Sequence, residues 1–184
     1  MLIKITWLFF ISILQYKIEI NFKNFYIYQN NMTPLSNKHD RVISNTFDEA
    51  LLSPCRARHG CVAAINGKII AKGHNNYRQH SYDGIMNNPF SCHAEMDVLR
   101  KCLQKVPIEK MKKITFYVTR VTCDGQIKNS APCADCLQQL QKYNIKRIIY
   151  STDDATFVSI KQTEYKTNFR TRCRKNCRDC GKYF

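Results

Sequence analysis

The chain has 184 residues, enough for one domain with short appendages. Its formal net charge of +15 attracts phosphates and points to a nucleotide or nucleic-acid partner, unless a Lys-, Asn- and Ile-rich coding bias supplied the lysines. Ten cysteines could build a secreted disulfide scaffold, but the C-x-x-C of Cys133 and Cys136 behind Pro132 belongs to metal binding in a reducing compartment.

Residues 1–31 differ in composition from the rest of the chain. The run from Ile5 to Leu14 is apolar and flanked by Lys4 and Lys17, yet shorter than the ~20 residues of a membrane span. It has the length of a signal-peptide core without a small-x-small cleavage site. We read 1–31 as a mis-called extension or dispensable leader, with a membrane anchor as the alternative; Met32 opens an ordinary start. Residues 32–160 form the expected domain and 161–184 a basic, cysteine-containing tail.

From Arg41 to Leu52 the residues Val42, Ile43, Phe47, Leu51 and Leu52 fall near helical spacing, and Pro54 limits the helix. Asn66-Gly67 between Cys61–Ile65 and Lys68–Ala71 predicts a hairpin on a type I′ turn. Gly73 to Ser91 is polar and irregular, a loop that runs into His93. A helix is expected from His93 to about Lys105, with Met96, Val98, Leu99 and Leu103 as its apolar side. Ile114–Thr119 is β-branched and aromatic, a buried strand. Asp124-Gly125 makes a turn before a second helix that starts at Pro132 and stops near Asn144. Ile145–Tyr150 is the next strand, and the connection to Phe157–Ile160 is too short for a parallel crossover, so that pair must be antiparallel. Cys61, Cys92 and Cys102 read as buried small hydrophobes. The tail interleaves Tyr165, Phe169, Tyr183 and Phe184 with basic residues, as single-strand binders do, and also reads as a solvated tail; Cys173, Cys177 and Cys180 offer three ligands for a second metal.

A lone histidine on a helix reads as structural, and a lone Glu95 as a solvated carboxylate. Together with Pro132-Cys133-Ala134-Asp135-Cys136 they read differently. His93, Cys133 and Cys136 supply three ligands and leave one position of a tetrahedral zinc open, as a catalytic zinc requires. Cys133 and Cys136 share one face of a first helical turn, where the helix N-terminus favours thiolate. Glu95, two residues past His93, is close enough to handle a proton without binding metal.

This H-x-E and P-C-x-x-C spacing resembles the zinc nucleobase deaminases, and the chain is similar to the cytidine/deoxycytidylate deaminase superfamily over roughly residues 41–160. The resemblance implies an α/β fold of three α-β-α layers, with a mixed sheet of about five strands flanked by helices. It implies a Zn2+ enzyme in which Glu95 is the general acid/base, the Ala94 N–H faces the pyrimidine O2, and Asn75, with Asn76 as alternate, contacts the sugar. A turn asparagine is the other reading of Asn75. The histidine ligand resembles the deoxycytidylate and tRNA-adenosine branches, while an antiparallel last strand pair resembles the free cytidine deaminases. The long connection before Pro132 departs from both.

The expected substrate is deoxycytidylate or cytidine, because the matched residues include nothing that reads a flanking nucleotide. The alternatives are a polynucleotide cytosine or adenine deaminase, gripping nucleic acid through the basic surface and tail, and a zinc-binding module without turnover. The resemblance also implies a homo-oligomer, and the cysteine usage a cytoplasmic protein, unless 1–31 tethers it to a membrane.

Overall fold

The computed structural model describes residues 37–85 and 91–171. The apolar run at 5–14 and the cysteines at 173, 177 and 180 lie outside them, as do Tyr183 and Phe184. No helix among the described residues is long and apolar enough to cross a membrane.

Helix α1 (Asn37–Leu51) leads into β1 (Arg58–Ile65) and β2 (Lys68–His74). Helix α2 (Ala94–Lys105), a 3-10 helix (Ile108–Lys113) and β3 (Thr115–Val121) come next, then β4 (Ile127–Lys128), α3 (Ala134–Lys142), β5 (Arg147–Ser151) and β6 (Phe157–Lys161). The strands form one six-stranded mixed sheet, ordered β2-β1-β3-β5-β6 with β4 paired to β3. The expected five-strand sheet thus gains a two-residue hairpin partner, built where Gly125 turns with φ 84°.

Alternation along the strands explains the layers. Cys61, Ala63, Phe116 and Val118 face α2 and α3, whereas Val62, Ala64 and Tyr117 face α1 with Val42 and Ile43. Both sheet faces are covered, so β1 reads as a nearly continuous buried run. The β1–β2 hairpin turns at Asn66 (φ 51°) and Gly67 (φ 83°), both left-handed as a type I′ turn demands. Parallel pairing of β3 and β5 leaves room for α3 between them, while β5 and β6 are antiparallel across the short 152–156 connection.

Three expectations shift. Leu51 and Leu52 end up exposed rather than on the apolar face: Leu51 is the last residue of α1, and it is Ala50 that is buried against β1. Helix α3 begins two residues after Pro132, which precedes the N-cap Cys133, and it runs to Lys142 with Tyr143 as its C-cap. Asn144 lies one residue further out, in the left-handed conformation common just past helix C-termini.

Gly60 sets how closely α1 can lie on the sheet. A Cβ there would sit 1.9 Å from the Thr46 carbonyl oxygen and 2.5 Å from the Ala50 nitrogen. Gly60→Ala must therefore push α1 off β1, and urea unfolding should show a loss of about 3 kcal/mol, the upper end for overpacking.

Candidate metal centre and active site

The site forms where two helices begin. His93 is the N-cap of α2 and Cys133 the N-cap of α3, both in extended backbone, and neither side chain caps its own helix. Both instead turn toward each other, joined by Cys136 from the first turn of α3. His93 Nδ1 lies 3.1 Å from the Cys136 sulfur and 3.6 Å from the Cys133 sulfur. The three donor atoms lie within 4.8 Å of one another. Bonds of ~2.1 Å to nitrogen and ~2.3 Å to sulfur give a tetrahedral edge of about 3.5 Å, so this donor set fits Zn2+ with one position left over.

The electrostatics favour the thiolate at one of the three donors. The Cys133 thiol is held down to about 4, chiefly by its hydrogen bond with Cys136 and then by His93, while that same contact and burial push Cys136 up. Burial opposes charge on His93, but the contact with Cys133 and the nearby Glu95 charge outweigh it and raise its pKa. Glu95, in the first turn of α2, is almost fully buried, and burial raises its pKa.

A cavity of about 210 Å³ opens beside these residues, with His93, Ala94, Glu95, Cys133 and Asn75 in its wall. Asn75 is more than a wall residue. Its Oδ1 accepts from the Ser53 hydroxyl (2.6 Å) and the His59 backbone N–H (2.7 Å), and its Nδ2 donates to the Ala57 carbonyl (2.8 Å). That clamp ties the 53–57 loop and the start of β1 to the end of β2, and leaves one amide hydrogen without a partner among the described residues. Asn76 spends its side chain on its own turn, donating to His74 and accepting from Arg78.

Several wall residues, His59 and Thr171 among them, went unnoticed in the sequence. His59 lies on the sheet face of Cys61 and borders the cavity. Its Nδ1 sits 3.1 Å from the Ala57 carbonyl, and burial lowers its pKa to about 4, so it is neutral with Nε2 as acceptor. Phe169 and Thr171 close another side of the cavity. Their segment is fastened to α3: the Ala134 N–H donates to the Phe169 carbonyl (2.8 Å), Tyr165 Oη donates to the Pro132 carbonyl (2.8 Å), and Arg170 pairs with Asp135 (3.1 Å). The Phe169 carbonyl thereby takes up a helix-start N–H that the Cys133 side chain does not serve. Tyr165 is buried; composition alone marked the segment only as basic and aromatic.

The family model for the cytidine and deoxycytidylate deaminase zinc-binding region matches residues 36–152, well over half of the chain. The chain belongs to this deaminase family. A crystal structure of cytidine deaminase from Burkholderia pseudomallei shares the fold at 16% identity and a TM-score of 0.52, over 68% of this chain and 94% of that one. A dCMP deaminase from the cyanophage S-TIM5, crystallised with dCMP and dUMP, is 21% identical with a TM-score of 0.46, over 63% of this chain and 82% of that one. No curated protein sequence matches.

Within this cavity, His59 carries a pH signature. From its ordinary 6.5 down to the folded value of about 4, the unfolded chain binds a proton that the folded chain refuses. Stability from this group is therefore complete above the higher value and lost as pH falls toward the lower one, by at most about 3 kcal/mol. Urea unfolding near pH 7.5 and near pH 5 should show a larger drop for wild type than for His59→Gln.

Proposed function

We propose that the protein is a zinc-dependent hydrolytic deaminase that converts a cytosine nucleoside or nucleotide, deoxycytidylate or cytidine, to the uracil form and releases ammonia. The observation that carries this reading is the buried Glu95 carboxyl in one cavity wall with His93 and Cys133, whose donor atoms cluster with that of Cys136. His93, Cys133 and Cys136 would hold the ion, which when bound supplies Lewis acidity that brings the pKa of water near neutrality.

The chain's own residues handle protons and position. Glu95 takes the proton of the water that attacks C4, delivers it to N3, and then assists departure of the amino group as ammonia. The balance is one water consumed and one ammonia released for each cytosine converted to uracil. Burial keeps Glu95 receptive to a proton, which suits a group that must both accept and return one. The Ala94 N–H faces the pyrimidine O2, and Ala94 is fully buried at the start of α2, so its backbone is fixed. Asn75 offers its remaining amide hydrogen to the sugar.

Glu95→Ala should leave folding intact and about one zinc per chain by metal analysis, while turnover falls by roughly 10²–10⁴-fold or more. Wild-type-like ammonia release from that variant would refute the role. A second reading, deamination within a polynucleotide, draws on the net charge of +15 and on Phe169, 59% exposed beside the cavity, as a surface on which a base could stack. Ammonia release from cytidine, deoxycytidine, deoxycytidylate and a cytosine-containing single strand separates the two. We expect release from a monomeric substrate; release from the strand alone would replace it with the second reading.

A further inference from the structure

A second concave surface lies away from the metal centre, near the starts of β3 and β5. Its volume is about 600 Å³. Lys113, Lys146 and Arg147 line it, together with the Asn66-Gly67 turn and Ser159. The three cations stand on fixed backbone. The Lys146 N–H donates to the Ile114 carbonyl (2.9 Å), next in the chain to Lys113, and Arg147 is in register with Thr115 across the parallel β3–β5 pair. Arg147 Nη1 also donates to the Ser159 hydroxyl (3.1 Å), and both residues line the groove.

Like charges that line one concave surface repel one another unless something neutralises them. Some cations elsewhere have carboxylate partners: Glu49 faces Lys72 and His74, Asp97 faces Lys101, Asp83 faces Arg100, and Asp135 faces Arg170. No carboxylate lines this groove among the described residues. Its floor does not repel an anion either. The Tyr117 hydroxyl shares a 2.9 Å hydrogen bond with His39 Nδ1, and burial pushes its pKa up to about 12, so it stays neutral.

We propose that this groove binds the phosphates of a small oligophosphate, with Lys113, Lys146 and Arg147 as its cationic ligands and the Ser159 hydroxyl beside them. Guanidinium and ammonium groups form charge-assisted bonds to phosphate oxygens. The volume falls within the ~300–1,000 Å³ of small-molecule sites, whereas a nucleic-acid backbone tracks a longer channel. The site is independent of the deamination reading.

The test titrates full-length, zinc-loaded protein calorimetrically with inorganic tripolyphosphate, a nucleoside triphosphate and a single-stranded oligonucleotide. The triple variant Lys113→Gln, Lys146→Gln, Arg147→Gln is compared with a charge-matched control, Lys128→Gln, Lys142→Gln, Lys166→Gln. We expect single-site tripolyphosphate binding, weakened about tenfold or more by the groove variant and less than about twofold by the control. Tighter binding of the nucleoside triphosphate identifies a nucleotide as the source of the phosphates, and equal binding a bare oligophosphate. Equal losses in the two variants would reduce the effect to bulk charge and overturn the site. Groove-dependent binding of the oligonucleotide alone would overturn the small-molecule assignment. If circular dichroism shows that the triple variant is unfolded, the single exposed-lysine variants Lys113→Gln and Lys146→Gln carry the same comparison.

Discussion

Everything at the centre depends on two helices starting at one point. A helix N-terminus presents unpaired N–H groups and a partial positive charge, which favour thiolate and carboxylate nearby. Here α2 brings His93 and Glu95 to that point, and α3 brings Cys133 and Cys136. The two N-cap side chains are released from capping, and that release lets them face each other across the gap between the helices. The sheet holds the spacing. Both helices pack on the face that carries Cys61, Ala63, Phe116 and Val118, so a shift of either helix would disturb a continuous apolar core.

The opposite face does a quieter job. Helix α1 rests on β1 with glycine contact at Gly60, and the Thr46 hydroxyl meets that of Thr119 in the buried interface. Polar pairing there satisfies groups that would otherwise be stranded between helix and sheet. The strand ends that emerge from this packing carry His59 and the loop clamped by Asn75, so the layer remote from the metal helices still sets one wall of the cavity.

The features legible in the sequence were those that local chemistry encodes. Asn66-Gly67 declares its turn because few other residue pairs accept positive φ twice in succession, and the pairing of H-x-E with P-C-x-x-C declares a metal centre through the ligands themselves. The antiparallel β5–β6 pair could be read from connection length. The rest is held by partners distant in sequence. Nothing near His59 announces that Asn75 will fix its backbone, and nothing near Phe169 announces that its carbonyl will meet Ala134. The two-residue β4 has no periodicity of its own; it exists because Arg120 and Val121 offer an edge to pair with. Leu51 and Leu52 show the converse, apolar residues near helical spacing that the fold leaves exposed where the helix ends.

The attachment of 165–171 to α3 makes the shape of the cavity depend on chain beyond the sheet. The sheet ends at Lys161 and the metal-side donors precede it, yet Phe169 and Thr171 line the cavity. What holds them is three polar contacts, from Ala134, Tyr165 and Arg170, rather than the apolar core that holds the donors. The position of the donors and the shape of the wall that faces them can therefore vary separately.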